Sequence, residues 1–468
     1  MKKFYITTTL PYVNAEPHLG FAMEIVQADI IARYHRLLGE EVVFNTGTDE
    51  HGIKIYRAAL EQKKDPQAYV DEYAAKFDAL KQSLNLSYTN FLRTSSPNHK
   101  KAAQEFWKLC LANGDIYKKD YKIKYCVGCE LEKTDSELEN DKCPIHPNLE
   151  IEIIEEENYF FKFSKYQKPL LDLYEKNPQF VLPDFRLKEI KEFVSKGLQD
   201  FSISRLKDKL PWGVPVFNDP KHVSYVWFDA LACYISTLGW PEDEKKFNEF
   251  WPAIQVAGKD NLRQQSAMWQ AMLISAGLPN SKQIIIHGFI TNAGQKMSKS
   301  LGNVIDPFEL VKKYGTDAVR FFIAHELNTF EDSDVTFERI HESYNANLAN
   351  GLGNLVARVA KLCETNSVIA SKADQSFDPK MTVHLKNYKF NEALNHIWGE
   401  ITETDKKVNA KKPWELSGDK TKEVLEDLVK KIQHIAYNLQ PFLPETAAKI
   451  LQQFSGKIKS APALFPRI

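Results

Sequence analysis

The chain has 468 residues, 43% apolar and 26% charged, which suits a soluble globular protein of two to four domains. Its 61 Lys and Arg nearly cancel 62 Asp and Glu, so binding of a polyanion has to rest on local patches rather than on overall charge. Six cysteines are too few for a secreted disulfide scaffold, no run approaches the ~20 apolar residues of a membrane span, and the apolar part of "MKKFYITTTLPYVNA" is too short and too interrupted for an export signal. A cytoplasmic protein that does not enter membranes is expected.

Taken in chain order, the first elements are a strand over 4–10, a helix over 18–38 and a strand over 41–46, with Gly39 closing the helix and Arg33 and Arg36 in its last turns. The turn between strand and helix, "NAEPHLGFAME", suits a phosphate. Pro17 fits the first helical turn, free amides there face an anion at the positive end of the helix dipole, Gly20 permits close approach, and His18 adds a donor. By itself such a turn is ordinarily just a helix cap. An insertion over roughly 116–222, richer in charge and turns, carries Cys126-x2-Cys129-x13-Cys143-x2-His146. Four ligands at this spacing, with no open coordination position, point to one structural zinc ion. Cys110, Cys233 and Cys363 read as buried thiols.

A second strand–helix–strand unit follows in "AIQVAG", "NLRQQSAMWQAMLISAG" and "QIIIHGFI". Two such units imply a doubly wound parallel sheet, whose ligands bind at the carboxyl ends of the strands. Those ends carry Leu10-Pro11-Tyr12, Gly47-Thr48-Asp49-Glu50-His51, Gly258-Lys259-Asp260 and His287-Gly288. The segment "GQKMSKSLGN" then places Lys296 and Lys299 in a glycine- and serine-rich loop able to bring two ammonium groups onto a polyphosphate. From about 340 to 455 long helical patterns dominate. Leu348, Leu352, Leu355, Val359 and Leu362 form an apolar stripe, and Asn350, Asn354 and Arg358 recur every four residues on another face. A solvated face is the ordinary reading, but amides and a guanidinium can read base edges, and Trp414 in "KKPWEL" supplies a stacking plane.

His18-Leu19-Gly20-Phe21 and Lys296-Met297-Ser298-Lys299-Ser300 together resemble the two signature motifs of class I aminoacyl-tRNA synthetases, His-x-Gly-His and Lys-Met-Ser-Lys-Ser. The second is present letter for letter; in the first, Phe21 replaces the final histidine. "TTTLPYVNAEPHLG", "NTGTDEHGIKI", "YVWFDAL", "GKD" and "HGFI" follow the order and approximate spacing of the methionyl-tRNA synthetase family, and Cys126, Cys129, Cys143 and His146 resemble its single-knuckle bacterial form.

The resemblance covers essentially the whole chain. It implies an α/β fold: a doubly wound parallel, Rossmann-like catalytic domain with a zinc-knuckle insertion, followed by an all-α helical-bundle domain. The expected division is 1–115 and 223–290 for the catalytic halves, 116–222 for the insertion, 291–342 for the lysine loop and stem-contact region, and 343–468 for anticodon binding.

The implied activity is ATP-dependent attachment of methionine to tRNA(Met), including the initiator. His18, Lys296 and Lys299 would be catalytic, and Gly20, Gly258, Asp260, His287 and Gly288 would join them in binding ATP with Mg²⁺. Leu10, Tyr12, Asp49, Trp227, Ala230, Leu231, Tyr234 and Gln265 would hold L-methionine, with Asp49 receiving the α-ammonium group. Asn350, Asn354, Arg358 and Trp414 would meet the anticodon. Two departures accompany Phe21: Asn261 and Gln264-Gln265 stand where the family has an apolar residue and Phe-His, so that an amide occupies the place of a pocket histidine. Phe21 invites a catalytically impaired tRNA-binding paralogue as an alternative, and Gln264-Gln265 a class I enzyme for another amino acid. The chain stops near the end of the helical region, so a monomer without a C-terminal dimerisation module is expected.

Overall fold

The computed structural model describes residues 1–297, 303–371 and 375–468. Lys299 lies outside the described residues, and of Lys296 only the backbone is described. Six strands, β1 (Lys3–Thr8), β2 (Glu41–Thr48), β3 (Asn90–Arg93), β4 (Val181–Leu182), β5 (Ile254–Gly258) and β6 (Gln283–His287), form one sheet in the order β3-β2-β1-β5-β6-β4. Every pairing in it is parallel, with Ile6 set against both Phe44 and Ile254. β1, β2, β5 and β6 are nearly continuous runs of buried residues, as expected of a parallel sheet covered on both faces. Chain order reverses between β1 and β5, which makes their carboxyl ends the topological switch point.

The chain divides into two compact units: Met1–Pro17, Glu40–Ala79 and Tyr88–His287 form the first, and His18–Gly39, Leu80–Ser87 and Gly288–Ile468 the second. The first contains the sheet, a core rich in aromatics around Phe106, Trp107, Phe228 and Trp269, and the insertion. In the insertion, strands at Ile116–Cys126, Leu131–Lys133, Glu152–Phe161 and Phe201–Ser202 build a separate antiparallel sheet. The short helix α2 (Val226–Ala230) follows it.

The second unit contains α1 (Leu19–Leu37) and the C-terminal helices, including α3 (Phe390–Lys411) and α4 (Asp419–Leu439). α1 is tied in by Asp29, which is fully buried. It pairs with Arg320 at 2.9 Å and Arg33 at 2.7 Å, and accepts hydrogen bonds from the amide and hydroxyl of Ser87. The equally buried Arg320 also donates to the carbonyls of Leu84, Pro441 and Phe442, so this guanidinium has no unmet donor of consequence. Among the described residues, no helix is long and apolar enough to cross a membrane.

Two expected helices are partly π-helical. The segment after β5 opens with a 3-10 turn at Lys259–Asn261 and widens to a π turn at Gln264–Met268 before α-helix resumes at Trp269–Ser275, and the long helix from Phe337 to Thr365 widens over Tyr344–Gly353. Leu348, Leu352, Leu355 and Val359 are buried as the stripe requires. Cys110, Cys233 and Cys363 are buried thiols.

Candidate active site and metal centre

Beyond β1 the chain stays in register with the end of β2. The Asp49 amide donates to Pro11 O and the Val13 amide to Asp49 O, which sets Tyr12 beside Asp49. Asp49 is 2% exposed, and among the described residues its carboxylate accepts just two hydrogen bonds, both long, from the His51 amide at 3.5 Å and the Thr94 hydroxyl at 3.4 Å. Burial, and then the negative charges of Asp229, Glu130 and Glu50, hold its pKa well above the usual carboxylate range. A buried anion this poorly compensated is a site for a cation.

Asp229 is its opposite. Burial would raise it too, but it lies between His51 Nδ1 at 2.5 Å and His99 Nε2 at 2.7 Å, and these push it down to about 2. The pair joins the Asp49 loop to α2, which carries the pocket residues. His51 and Asp229 sit inside quoted motifs without a role assigned to them, and nothing in the sequence marks His99.

Some of the expected pocket residues touch one another directly: Tyr12 meets Trp227, and Gln265 meets Tyr234. Tyr12 and Trp227 meet edge to face at 6.1 Å, Ala230, Leu231 and Tyr234 are buried, and Leu10 packs against the core. The Tyr12 hydroxyl and Trp227 Nε1 are buried with no hydrogen-bond partner among the described residues. Gln265, carried by the π turn, donates to the Tyr234 hydroxyl at 2.6 Å, while its carbonyl accepts from Gln255 at 3.3 Å. At the neighbouring strand ends Gly258 is paired with His287, which is buried, and Asp260 is exposed. A Cβ at Gly258 would fall 2.8 Å from the Asp260 carboxylate, so glycine lets that side chain fold back over the strand end.

The turn at 17–21 differs from expectation. His18, not a residue before Pro17, is the N-cap of α1, so Pro17 lies outside the helix. The first amides are also spent: Leu19 donates to Ile305 O, Gly20 to His18 Nδ1 at 3.1 Å, and Phe21 and Ala22 to His18 O. There is no cradle of free amides here, because the imidazole itself takes the acceptor role of a cap. That bond makes Nδ1 the acceptor and leaves the proton of the neutral ring on Nε2. Gly20 serves the histidine, since a Cβ there would lie 2.9 Å from His18 Cε1. Gly288, expected beside ATP, has a local constraint as well: a Cβ would lie 2.2 Å from Glu331 O.

In the insertion, Cys126, Cys129, Cys143 and His146 place their donor atoms within 4.8 Å of one another. Cys129 Sγ lies 3.5 Å from Cys143 Sγ and 3.2 Å from His146 Nδ1, and Cys126 Sγ 3.9 Å from the same nitrogen. Tetrahedral zinc with the usual bond lengths requires edges of about 3.5–3.8 Å, so the four donors fit one such ion. Gly128 is required by this packing, as a Cβ would lie 2.5 Å from His146 Cγ. The next residue but one, Glu130, is 1% exposed, accepts from the Lys54 amide at 2.9 Å and is bonded by the Tyr125 hydroxyl. It ties the knuckle to the helix that follows the Asp49 loop, a role no sequence signal announces.

On the C-terminal helices Asn350 and Asn354 are exposed, and Trp414 is 50% exposed. The Arg358 guanidinium lies 5.2 Å from the Trp414 ring centre and donates to Asn409 at 2.7 Å. Arg358 is thus held beside an open aromatic face rather than extended into solvent.

The doubly wound parallel sheet with a buried carboxylate beyond β2 and, in the other unit, a helix capped by a histidine are the features of a class I aminoacyl-tRNA synthetase. A family model described as "tRNA synthetases class I (M)" matches residues 4–148 and 129–360. The methionine–tRNA ligase of Thermotoga maritima is 41% identical over 98% of this chain and 76% of its own length, and that of a Nostoc species is 41% identical over 97% and 90%. The structure of Mycobacterium tuberculosis methionyl-tRNA synthetase in complex with methionyl-adenylate superposes with a TM-score of 0.92 at 32% identity, covering 100% of both chains. The chain belongs to the methionyl-tRNA synthetase family.

Proposed function

We infer that the protein activates L-methionine with ATP to methionyl-adenylate, releasing diphosphate, and then passes the methionyl group to the 3′-terminal ribose hydroxyl of tRNA(Met), initiator and elongator alike. The observation that carries this reading is Asp49, a buried carboxylate short of positive charge beside an apolar, aromatic pocket. An α-ammonium group supplies the missing charge and fixes the amino acid's orientation.

Methionine is an unbranched thioether, which suits a wall of Leu10, Tyr12, Trp227, Ala230, Leu231 and Tyr234. Gln265 donates to the Tyr234 oxygen, so an amide stands beside the pocket tyrosine where the family has a histidine.

The substrate carboxylate is ionised at neutral pH and attacks the α-phosphate without a general base. Rate then depends on positioning and on cations where charge develops. His18, through Nε2–H, and the ammonium groups of Lys296 and Lys299 serve the phosphates, with Gly20 giving the imidazole its room. Gly258 and Asp260 take the ribose, and His287 and Gly288 the adenine. Mg²⁺ accompanies ATP and offsets phosphate charge. One structural Zn²⁺ per chain belongs to Cys126, Cys129, Cys143 and His146. We keep the division into 1–115, 116–222, 223–290, 291–342 and 343–468, and a cytoplasmic monomer. Methionine-dependent ATP–pyrophosphate exchange, set against the other aliphatic amino acids, tests the reading; preference for a different amino acid would refute it.

Asn350, Asn354, Arg358 and Trp414 meet the anticodon in this reading. Trp414→Ala removes one stacking plane, worth ~1–3 kcal/mol, so kcat/KM for tRNA charging is expected to fall by about 5- to 150-fold. Pyrophosphate exchange, which needs no tRNA, should stay unchanged. Equal losses in both assays would make Trp414 a packing residue.

A further inference from the structure

A second cluster of metal-type ligands lies among the C-terminal helices, remote in sequence from the knuckle. Asp378 caps the helix Pro379–Lys386, while His396 and Glu400 are four residues apart on α3 and therefore share a face. Donor atoms of the three lie within 4.8 Å of one another. A fourth group, His434 on α4, brings Nε2 to 4.0 Å from Glu400 Oε1 and is also contacted by the Asn438 amide at 3.3 Å.

Two details separate this cluster from an ordinary ion pair. His396 Nε2 is 2.9 Å from Asp378 Oδ1 yet makes no aligned hydrogen bond, and it is buried as an atom. Glu400 Oε2 is likewise buried with no partner among the described residues. Asp378 Oδ1 also accepts from the amides of Lys380 and Met381, so it holds His396 while capping its own helix. The 2.9 Å separation is shorter than the ~3.3–3.6 Å edge of a tetrahedral site with such ligands, so the imidazole would shift by a few tenths of an ångström to take up an ion.

We propose that Asp378, His396 and Glu400, with His434 beside them, bind a divalent transition-metal ion that clamps α3 to α4 and to the helix capped by Asp378. Two imidazoles and two carboxylates carry a net charge of −2 when both imidazoles are neutral, and this borderline donor set suits Zn²⁺, Co²⁺ or Ni²⁺ better than Mg²⁺ or Ca²⁺. The ion would stabilise the two helices whose connecting turn carries Trp414 and take no part in chemistry at the amino acid site.

The test is titration of the full-length protein, already carrying its knuckle zinc, with Zn²⁺ under calorimetric observation and with metal analysis after gel filtration. Wild type should take up a second equivalent and melt at a higher temperature with it. His396→Gln and Glu400→Gln should each weaken that second binding by at least about tenfold while leaving helicity unchanged. Cys129→Ala should lose the first equivalent and keep the second. Failure of wild type to bind more than one equivalent overturns the proposal, and so does second-site binding that survives both α3 substitutions.

Discussion

Asp49→Asn is expected to lower kcat/KM for methionine in pyrophosphate exchange by about 150-fold to several thousand-fold, the equivalent of the ~3–5 kcal/mol by which an unpaired charge in a buried ion pair is penalised. The substitution keeps shape and removes only the charge that the α-ammonium needs. It should not unfold the protein, because the carboxylate has nothing to pay for its burial until substrate arrives. Its pKa in the empty fold is raised, above all by burial, so the folded state binds a proton more readily than the unfolded chain does. By linkage this group favours the fold at low pH and loses that contribution as pH rises through the raised pKa. Asp49→Asn should therefore melt at the same temperature as wild type or higher at neutral pH. In wild type a proton competes with the ammonium group, so KM for methionine should rise on acidification, and that dependence should vanish in the variant. A variant that is merely unfolded, or one with unchanged KM, would remove Asp49 from the proposed role.

Loss of the knuckle metal is expected to have the second largest effect. Four donors within 4.8 Å of one another are placed to hold one ion, and structural zinc contributes ~10–16 kcal/mol to the folding of small knuckles. Chelation should release one zinc per chain and make 126–146 the first segment cut by protease. Glu130 links the knuckle to Lys54, just past the Asp49 loop, so methionine KM should rise as the knuckle loosens. Gly128→Ala tests the same centre without chelator: its Cβ would fall 2.5 Å from His146 Cγ, displacing the histidine and weakening zinc retention. A protein free of metal with an intact, protease-resistant knuckle would contradict this.

Much of this was legible in the sequence because the informative residues sit in long, contiguous motifs. Strand ends bearing Tyr12, Asp49, Asp260 and His287 could be placed from two strand–helix–strand patterns, and four zinc donors from spacing alone. β3 and β4 were not foreseen, since four half-buried residues and two residues carry no periodicity. The π turns were equally hidden, as a widened helix keeps the apolar pattern of an α-helix over so short a stretch.

The free amides expected at the start of α1 are absent because the His18 imidazole takes that of Gly20, the Ile305 carbonyl that of Leu19, and the His18 carbonyl those of Phe21 and Ala22, partners that residue types do not announce. His99, Glu130 and the His51–Asp229 pair were missed for a different reason. They act through contacts between residues 76 to 178 positions apart, which only the fold brings together.

The central claim is that the altered signature turn, with Phe21 in place of a histidine and His18 as its cap, still serves adenylate formation. The most direct measurement is methionine-dependent ATP–pyrophosphate exchange by wild type beside Phe21→His and His18→Ala. Clear activity is expected in wild type, equal or greater activity in Phe21→His, and a loss in His18→Ala comparable to that of one oxyanion-type donor, ~2.7–4 kcal/mol. No exchange by wild type, with activity restored by Phe21→His, would contradict it.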